Sequence, residues 1–300
     1  MNKETHQFTH FVHDKTNSNS ISHNNVISLK AAKNGLVWVG TENGGLNILD
    51  VKNGLFERYQ YDEFDDASLN GNSLYSIYED NDDNMWIGTW NGGINLVHQD
   101  AQKFPHFRHT SSPYSLSDNH VSCIYEDSKE MIWIGTDGGG LNLMDPETGK
   151  FQHFKKSNQA NSIAGNYVLS VCEDREGEIW IGTYGDGLSV YNRKNKTFRN
   201  IKHIPGERGG LISNYVWNVF RDSEDKIWIG MCSGGLNVYD PDTKKFTSYT
   251  HNEHDINSLS HDNIHSIFED SRGYIWVGTN GGGLNCFDKK TGKFIHYKHE

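Results

Sequence analysis

The sequence predicts an all-β fold, a β-propeller built from four-stranded antiparallel blades, and three observations support this prediction. Glycine supplies 31 of the 300 residues, whereas proline supplies only 5. Aromatic residues are frequent, with 14 Phe, 14 Tyr and 8 Trp. A segment headed by Trp-(Ile/Val)-Gly recurs six times, and no long helical periodicity interrupts the repeats. This pattern is typical of many short strands joined by tight turns.

The repeats align without gaps at intervals of 47 or 48 residues, beginning at Trp38, Trp86, Trp133, Trp180, Trp228 and Trp276. An apolar strand with an acidic end precedes most of these Trp residues, as in VSCIYED from Val121. A short aromatic strand follows each repeat: Phe56 to Tyr59, Phe104 to Phe107, Phe151 to Phe154, Phe198 to Ile201, Phe246 to Tyr249 and Phe294 to Tyr297. One period therefore predicts four strands joined by polar or glycine-rich turns.

A four-stranded sheet of this size cannot bury both of its faces alone, so the copies must stack side by side, as propeller blades do. The Trp of each second strand is predicted to pack between blades, and the Gly two residues later allows close approach of a neighbour. The six blades are expected at approximately 22–60, 70–108, 117–155, 164–202, 212–250 and 260–298, within one propeller domain over 1–300.

The beginning of the chain predicts one further element. Phe8 aligns with Phe294, so residues 1–12 are expected to contribute an outer strand, Phe8 to Phe11, without inner strands of their own. The expectation is therefore six complete blades plus this strand, cut from a seven-bladed ring. Such an array exposes two apolar blade faces, which predicts a homodimer, aggregation or a strained closure with six blades.

Charge and composition exclude several classes of partner. The 28 Lys and Arg residues against 39 Asp and Glu residues give a formal net charge of −11, which disfavours nucleic acid. No run of 18 apolar residues and no export signal is found, so direct membrane contact is not expected. The four cysteines have no CxxC spacing and are expected to be small buried thiols: Cys123, Cys172, Cys232 and Cys286. No metal site and no cofactor are predicted.

Repeated polar residues are interpreted as structural. Four acidic pairs end the first strands, and neighbouring strand residues point to opposite faces, so no catalytic residue is assigned to them: Glu79-Asp80, Glu126-Asp127, Glu173-Asp174 and Glu269-Asp270. Four histidines share one position of the outer strand, which predicts a solvated strand face: His10, His106, His153 and His296.

Candidate ligand-binding residues are those that vary between repeats while the scaffold does not. A propeller brings the equivalent position of every blade to one ring around the axis. The position after the second strand contributes Glu42, Trp90, Asp137, Tyr184 and Asn280, and positions at the first strand contribute His120, Tyr215 and Trp217. Flat aromatic faces beside hydrogen-bonding groups suit a sugar. The alternative is that these turns vary under weak constraint and that the aromatic residues fill gaps between blades.

A family resemblance is carried by the combination SLSxNxVxxIYED, GxIWIGT, GGLNxxD and FxxF. It is seen at Ser115 to Asp127, at Met131 to Thr136 with Glu130 in place of the first Gly, at Gly139 to Asp145 and at Phe151 to Phe154. This combination resembles the two-component regulator propeller repeat and covers nearly the whole chain. In that family, two seven-bladed propellers usually form the periplasmic sensor of a hybrid histidine kinase that regulates polysaccharide use. A β-sandwich, one membrane span, kinase, receiver and DNA-binding domains follow in such proteins, and none of them is encoded here.

The resemblance implies a non-catalytic sensor domain of a two-component phosphorelay, located in the periplasm. Its expected ligand is a carbohydrate fragment, an oligosaccharide or another small polar molecule, and its expected partner is the rest of the receptor chain, with a further propeller and a β-sandwich. Two alternatives are a polysaccharide-active enzyme, either a lyase or a glycoside hydrolase, and a protein-interaction scaffold. A hydrolase would require two well-placed carboxylates.

Overall fold

The computed structural model describes residues 8–65, 67–98, 106–206 and 209–298. Within these residues the chain forms 24 strands and no helix. The strands pair in six sheets of four, and in every sheet they follow one another in sequence order. Each sheet is one blade, and the blades are numbered one to six along the chain. The predicted fold class, six four-stranded antiparallel blades of a β-propeller, is therefore confirmed.

The chain divides into two compact units, residues 1–124 and 125–300. The first unit contains blades one and two and the first residues of blade three. In both complete blades, a bulge follows the first residue of the inner strand. The strands of these two blades are β1 (Val26–Ala31), β2 (Val37–Thr41), β3 (Leu46–Asp50), β4 (Leu55–Tyr59), β5 (Leu74–Glu79), β6 (Met85–Thr89), β7 (Ile94–Val97) and β8 (His106–Phe107).

The second unit contains most of blade three and all of blades four to six. Strand β9 (Val121–Glu126) includes the boundary between the two units. The remaining strands are β10 (Ile132–Thr136), β11 (Gly140–Asp145), β12 (Lys150–Phe154), β13 (Val168–Glu173), β14 (Ile179–Thr183), β15 (Gly187–Asn192), β16 (Thr197–Ile201), β17 (Val216–Arg221), β18 (Ile227–Met231), β19 (Leu236–Asp240), β20 (Lys245–Tyr249), β21 (Ile264–Glu269), β22 (Ile275–Thr279), β23 (Gly283–Asp288) and β24 (Lys293–Tyr297).

The second strand of a blade is its most deeply buried element. All five residues of β6, β10, β14 and β18 are buried, so these strands show a continuous apolar run in place of alternation. In the second unit, Trp180 lies in one apolar cluster with Val216 and Val219 of the next blade. The predicted packing of Trp between blades is thus confirmed for this pair.

The repeated Gly two residues after the Trp lies close to the next blade in several repeats. A Cβ atom at Gly182 would lie 2.8 Å from Cγ1 of Val216 and 2.7 Å from Oγ of Ser170. At Gly40 the equivalent neighbour is the carbonyl oxygen of Leu74, at 2.7 Å. At Gly40, Gly88, Gly182 and Gly230, the first residue of the following inner strand therefore packs where a side chain at the Gly would stand.

The outer strand predicted at Phe8 to Phe11 is not formed. Residues 8–12 belong to no strand, and residues 1–7 lie outside the described part of the chain. The ring of Phe11 packs edge-on against Phe56 of β4, with ring centroids 5.5 Å apart. A strand requires a partner edge for its hydrogen bonds, and here apolar packing alone positions the segment. The first residue of another predicted outer strand, Phe104, lies outside the described residues.

The histidines predicted on a solvated strand face differ in exposure: His10 is exposed but lies in no strand, whereas His106, His153 and His296 are half-buried. His106 and His296 are half-buried, and the Nε2–H groups donate to the carbonyl oxygens of Ser68 and Ser258 over 3.1 and 2.6 Å. Arg58 Nε donates to Ser20 O in the same way, at 2.7 Å. In these three blades, the side chain at this position therefore ties the outer strand to the loop that leads into its own blade.

A second set of histidines closes the loops between blades. The Nδ1–H of His203 donates to the carbonyl of Leu211 over 2.7 Å, while the backbone N–H of His203 donates to Asn214 Oδ1 over 2.8 Å. The same pair of contacts is made by His13, His109 and His251. These repeated histidines are structural, because each uses a ring nitrogen to satisfy a backbone group.

Candidate functional site

The two sequence positions predicted to bind ligand lie side by side within a blade. The backbone N–H of the residue after the second strand donates to the carbonyl of a residue just before the first strand. The pairs are Glu42 with Asn25 (3.0 Å), Trp90 with Ser73 (3.0 Å), Tyr184 with Tyr167 (2.9 Å), Cys232 with Tyr215 (3.0 Å) and Asn280 with Asn263 (2.9 Å). We call this end of the blades the variable end.

Turn chemistry fixes the geometry of the variable end. In blade four, Gly187 has φ of 83°, a left-handed value that favours glycine, and Oγ1 of Thr183 donates to its carbonyl over 2.7 Å. The N–H of Gly187 donates to the carbonyl of Asn214 in blade five over 2.9 Å. Equivalent inter-blade bonds join Gly45 to Asn72, Gly93 to Asn119, Gly140 to Asn166 and Gly235 to Asp262. Variable residues of adjacent blades are therefore held close together.

In the first unit, Trp90 is the centre of a small aromatic group. Its ring stacks on Tyr75 with centroids 4.8 Å apart and an interplanar angle of 29°. The ring of His120 meets Trp90 at 5.1 Å and 76°. Nδ1 of His120 lies 2.7 Å from Oδ1 of Asp118, so the proton on Nδ1 is directed at that carboxylate. Trp90 remains 38% exposed, which leaves aromatic surface beside a hydrogen-bonded imidazole and carboxylate.

Glu42, at the variable end of blade one, already has a side-chain partner. Its Oε2 accepts a short hydrogen bond from Nδ2 of Asn25. In the turn beside it, the N–H of Asn43 donates to Oγ of Ser73 in blade two, over 3.1 Å. The carboxylate of Glu42 is thus one member of a polar surface network.

In the second unit, Tyr184 and Tyr215 come together from blades four and five. Their ring centroids are 5.0 Å apart at 68°, and both side chains are exposed. The ring of Tyr215 lies over Gly185, where a Cβ atom would be 3.6 Å from Cε1 of the tyrosine. Tyr167 lies over Gly138 in the same way, at 3.8 Å. Each tyrosine therefore covers the glycine turn of the preceding blade and keeps one side open to solvent.

Trp217 and His265 form a further pair on the inner strands of blades five and six, with centroids 5.0 Å apart at 56°. Asp137 and Asn280 are positioned by backbone contacts alone. Asp137 forms an isolated β-bridge with Tyr167, and the N–H of Asn280 donates to the carbonyl of Asn263. Neither of their side chains makes a hydrogen bond to another described residue. Among the predicted residues, the structure therefore joins Tyr184 to Tyr215 and Trp90 to His120.

Sequence reasoning did not select four residues that complete these groups. Tyr75, Tyr167 and His265 occupy the same variable positions as the selected residues, so their positions carried the signal. Asp118 lies two residues before His120, but only the structure shows that its carboxylate contacts the imidazole.

The opposite end of the blades carries the acidic pairs. The Asp of each pair accepts a hydrogen bond from a Trp indole, as Asp174 does from Trp180 over 2.8 Å. The Glu contacts the preceding blade: Glu173 Oε2 accepts the N–H of Ser128 over 2.7 Å, and Oε1 accepts its Oγ–H over 2.8 Å. Equivalent contacts join Glu79 to Lys33 and Glu269 to Ser223. The structural interpretation of these pairs is confirmed.

At two interfaces between blades of the second unit, a basic residue joins the carboxylates of adjacent blades. Nη2 of Arg193 lies 2.9 Å from Oδ2 of Asp127 and 3.0 Å from Oε1 of Glu173. Nζ of Lys289 lies 2.9 Å from Asp222 and 2.6 Å from Glu269 in the same arrangement. A cleft of about 160 Å³ opens beside Lys289, lined by Lys226, Trp228, Asp240, Tyr249 and Phe287 among others. None of the predicted ligand-binding residues lines this cleft.

Comparison with known proteins adds family evidence. A profile of the two component regulator propeller family matches residues 20–43, 68–91, 115–138, 162–185, 210–232 and 258–281. No curated protein was found to match the chain. Every matched segment runs from the loop before an inner strand to the turn after the second strand.

Solved structures share this fold. The extracellular domain assigned to the hybrid two component system BT3049 of B. thetaiotaomicron is 26% identical, with a TM-score of 0.60 over 88% of this chain and 40% of that chain. The corresponding domain of BT4673 is 21% identical, with a TM-score of 0.60 over 91% of this chain and 43% of that chain. The chain thus spans less than half the length of these two domains.

A likeness to an enzyme is also found. Virginiamycin B lyase from Staphylococcus aureus is 13% identical, with a TM-score of 0.67 over 92% of this chain and 85% of that chain. At this identity the likeness shows the fold alone.

In the described part of the chain, no helix has the length and apolar character of a membrane span. Six matched repeats, each coinciding with a blade of the structure, establish that the chain belongs to the two-component regulator propeller family.

Proposed function

We propose that this chain is a non-catalytic, ligand-sensing propeller that serves as part of the extracytoplasmic input region of a two-component receptor. Its relation to the extracellular domains of hybrid two component systems supports this role. Because the chain spans 40% of the BT3049 domain, the rest of such a receptor is its proposed partner. A second copy of the chain is a further proposed partner.

The proposed ligand is a carbohydrate fragment bound at the variable end of the blades. The observation that carries this proposal is the presence there of exposed aromatic rings beside polar groups, namely Trp90 with His120 and Asp118, and Tyr184 with Tyr215. A pyranose presents C–H groups on its faces and hydroxyl groups at its rim. Aromatic contacts and hydrogen bonds of these two kinds each contribute roughly 1 kcal/mol.

No catalytic residue is proposed because the repeated carboxylates are occupied by structural hydrogen bonds. The repeated Asp residues hold Trp indoles, and the repeated Glu residues hold turns of the preceding blade. Glu42 is hydrogen-bonded to Asn25, which leaves Asp137 as the acid of the variable end with no side-chain partner among the described residues. Glycoside hydrolysis requires a pair of acids that flank the scissile bond.

Signalling requires that the ligand distinguish two arrangements of the receptor. A ligand with equal affinity for both arrangements shifts no population, however tightly it binds. Residues from adjacent blades meet at the variable end, so a ligand that bridges Tyr184 and Tyr215 would be sensitive to the angle between blades four and five.

The test is to measure binding of purified neutral and acidic oligosaccharides by calorimetry and by thermal shift. Trp90→Ala and Tyr184→Ala are each expected to weaken binding of an oligosaccharide that contacts them by about tenfold, or ~1.4 kcal/mol. The melting temperature should stay nearly unchanged because both side chains are exposed. Tyr114→Ala is the control, since Tyr114 is an exposed aromatic residue that takes no part in the ring contacts of Trp90, His120, Tyr184 and Tyr215.

Two outcomes would contradict the proposal. Release of new reducing ends or unsaturated products, abolished by Asp137→Asn, would show that the chain is an enzyme. A large loss of stability in Trp90→Ala without a change in binding would show that the aromatic residues fill gaps in the structure.

A further inference from the structure

The cleft beside Lys289 lies where another blade carries a guanidinium group. Its volume is about 160 Å³, close to the roughly 150 Å³ that holds a benzene-sized molecule in an engineered protein cavity. We call it the blade-five cleft. Six of the residues that line it carry the argument: Lys226, Trp228, Val238, Asp240, Thr247 and Lys289. A ligand here is additional to the proposed carbohydrate, whose predicted contact residues do not line the cleft.

In blade four, an arginine side chain fills the space that is open in blade five. Arg199 and Thr247 hold the same position of their outer strands, β16 and β20, since each pairs with the equivalent Val of the adjacent strand. The guanidinium carbon of Arg199 lies over the Trp180 ring, 5.7 Å from its centroid. The Thr247 side chain is too short to cover Trp228 in this way. The blade-five cleft therefore corresponds to the place of the Arg199 side chain.

A second guanidinium group covers the Trp of blade three. The guanidinium carbon of Arg193, from blade four, lies 5.8 Å from the centroid of Trp133. Lys289 of blade six makes the same two carboxylate contacts as Arg193, but its ammonium group has no planar face to lay over a ring. In the described part of the chain, no cation lies over Trp228 as these guanidinium groups lie over Trp133 and Trp180.

The charges around the blade-five cleft favour a cation. Six charged groups line the cleft or pair with those that do: Lys226, Lys289, Asp222, Glu224, Asp240 and Glu269. Both ammonium groups already have carboxylate partners, and the set carries a net charge of −2. Hydrogen bonds from the backbone N–H groups of Thr243 and Asp242 hold the pKa of Asp240 below its usual value, so this carboxylate is ionised at neutral pH.

We propose that the blade-five cleft binds a guanidinium group, either that of a small free guanidine or that of an arginine side chain of another protein. The planar cation lies over Trp228 as Arg199 lies over Trp180, with the Asp240 carboxylate as the acceptor for its N–H groups. An anion is disfavoured by the net negative charge. An ammonium ligand is more strongly hydrated and has no flat face for the indole.

The test uses the full chain labelled with ¹⁵N at its tryptophan indoles and followed by NMR. The Trp228 signal is assigned with Trp228→Phe. Methylguanidinium, titrated at constant ionic strength, is expected to shift this signal with half-saturation at about 1–10 mM. Methylammonium is the matched ligand control, because it carries the same charge without the planar group, and it should shift the signal little.

Variants at Thr247 test whether the ligand occupies the cleft. Thr247→Arg should weaken binding at least tenfold, because the new side chain fills the cleft as Arg199 does in blade four. Thr247→Met fills it without added charge and should also weaken binding. Thr197→Arg adds the same charge at an exposed position of β16 that does not line the cleft, and it should leave binding unchanged. Thr247 is exposed as well, so these variants should fold.

A blocked arginine, N-acetyl-arginine methylamide, distinguishes the two sources of the guanidinium group. Binding of both compounds supports an arginine side chain of another protein, whereas binding of methylguanidinium alone supports a small free guanidine. Equal shifts with methylammonium, no shift with either guanidine, or unchanged binding in Thr247→Arg would each overturn the proposal. Tyr184→Ala should leave guanidinium binding unchanged, which separates this proposal from that of the carbohydrate site.

Discussion

Nε1 of Trp180 donates a 2.8 Å hydrogen bond to Oδ2 of Asp174, the residue that closes the turn between the first and second strands. The same bond joins Trp86 to Asp80, Trp133 to Asp127, Trp228 to Asp222 and Trp276 to Asp270. Oδ1 of Asp174 also accepts the N–H groups of Glu176 and Glu178, each at 2.9 Å. One carboxylate therefore satisfies a buried indole and a whole turn.

Removal of this carboxylate should be costly. Asp174→Ala leaves the buried Trp180 indole and two turn amides without an acceptor, so we expect a loss of about 3 kcal/mol in the free energy of unfolding. Chemical denaturation followed by tryptophan fluorescence measures this loss. An exposed Asp at a similar turn, Asp242→Ala, is the control and should change stability little.

Blade one offers the reverse test. Ala32 occupies the position of the Asp, and the Trp38 indole N–H is buried with no hydrogen bond to another described residue. The backbone turn matches the others, since Ala32 N donates to Leu36 O over 2.9 Å, as Asp174 N does to Glu178 O over 3.0 Å. Ala32→Asp is therefore expected to stabilise the chain by about 1 kcal/mol. The gain should disappear in a Trp38→Phe background; a gain that persists there would rule out this explanation.

The Gly contacts between blades predict a contrast between two equivalent substitutions. Gly182→Ala places a methyl group against Val216, and overpacking of this kind costs about 2–3 kcal/mol. Gly278→Ala meets only Ser266 Oγ, which can rotate away, so its cost should be below about 1 kcal/mol. Thermal denaturation of the two variants measures this difference, and equal losses would contradict the assignment of Val216 as the obstructing group.

The side chain of Arg193 is only 14% exposed and lies between two carboxylates. The stability of the chain should therefore depend on the positive charge at this position more than on the shape of the side chain. Arg193→Met leaves Asp127 and Glu173 without their shared cation, at an expected cost of about 3 kcal/mol. Arg193→Lys should cost less than about 1 kcal/mol because Lys289 plays the same part between blades five and six. Calorimetric unfolding of both variants tests this expectation. If Lys proved as damaging as Met, stacking on Trp133 would be the dominant contribution.

Acid should weaken blade six over a defined range. Burial raises the pKa of Asp270, but hydrogen bonds from Arg272, from the Trp276 indole and from backbone amides outweigh it and lower the pKa to about 2, from 3.8 in a free side chain. The ionised form thus stabilises the fold fully above the unfolded-state pKa, and this contribution is lost as the pH falls through about 2. Unfolding of the parent chain and of Asp270→Asn should differ most near pH 6 and converge at pH values near 2. A difference that stays constant with pH would show that the carboxylate charge is not responsible.

The blades were predictable because their signal is repeated. Trp133 and Gly135 recur with fixed spacing from their turns, so strand order and burial followed from local patterns. The acidic pairs were correctly interpreted as structural for the same reason. Their partners were not predictable, since Ser128 and Glu173 are 45 residues apart in sequence and meet only when two blades pack.

The candidate site was predictable as a set of positions but not as a set of contacts. Backbone hydrogen bonds such as that of Tyr184 to Tyr167 follow from the four-stranded arrangement, so the two variable positions had to be neighbours. Whether Trp90 stacks on Tyr75 depends on side-chain rotamers that repeat spacing does not encode. The expectation that His106 faces solvent was wrong. Its ring is half-buried because it donates to the carbonyl of Ser68, which belongs to a loop 38 residues away in sequence.

The carboxylate contact between blades has a direction: in blades two, four and six, the later blade supplies the Glu and the earlier one the turn. Blade five breaks this rule, since Arg221 stands in place of the Glu and pairs with its own Asp225. A pulling force applied along the chain should therefore separate blades four and five before blades five and six. Of these two interfaces, the one between blades four and five would then yield first, and the proposed ligand-binding residues Tyr184 and Tyr215 lie across it.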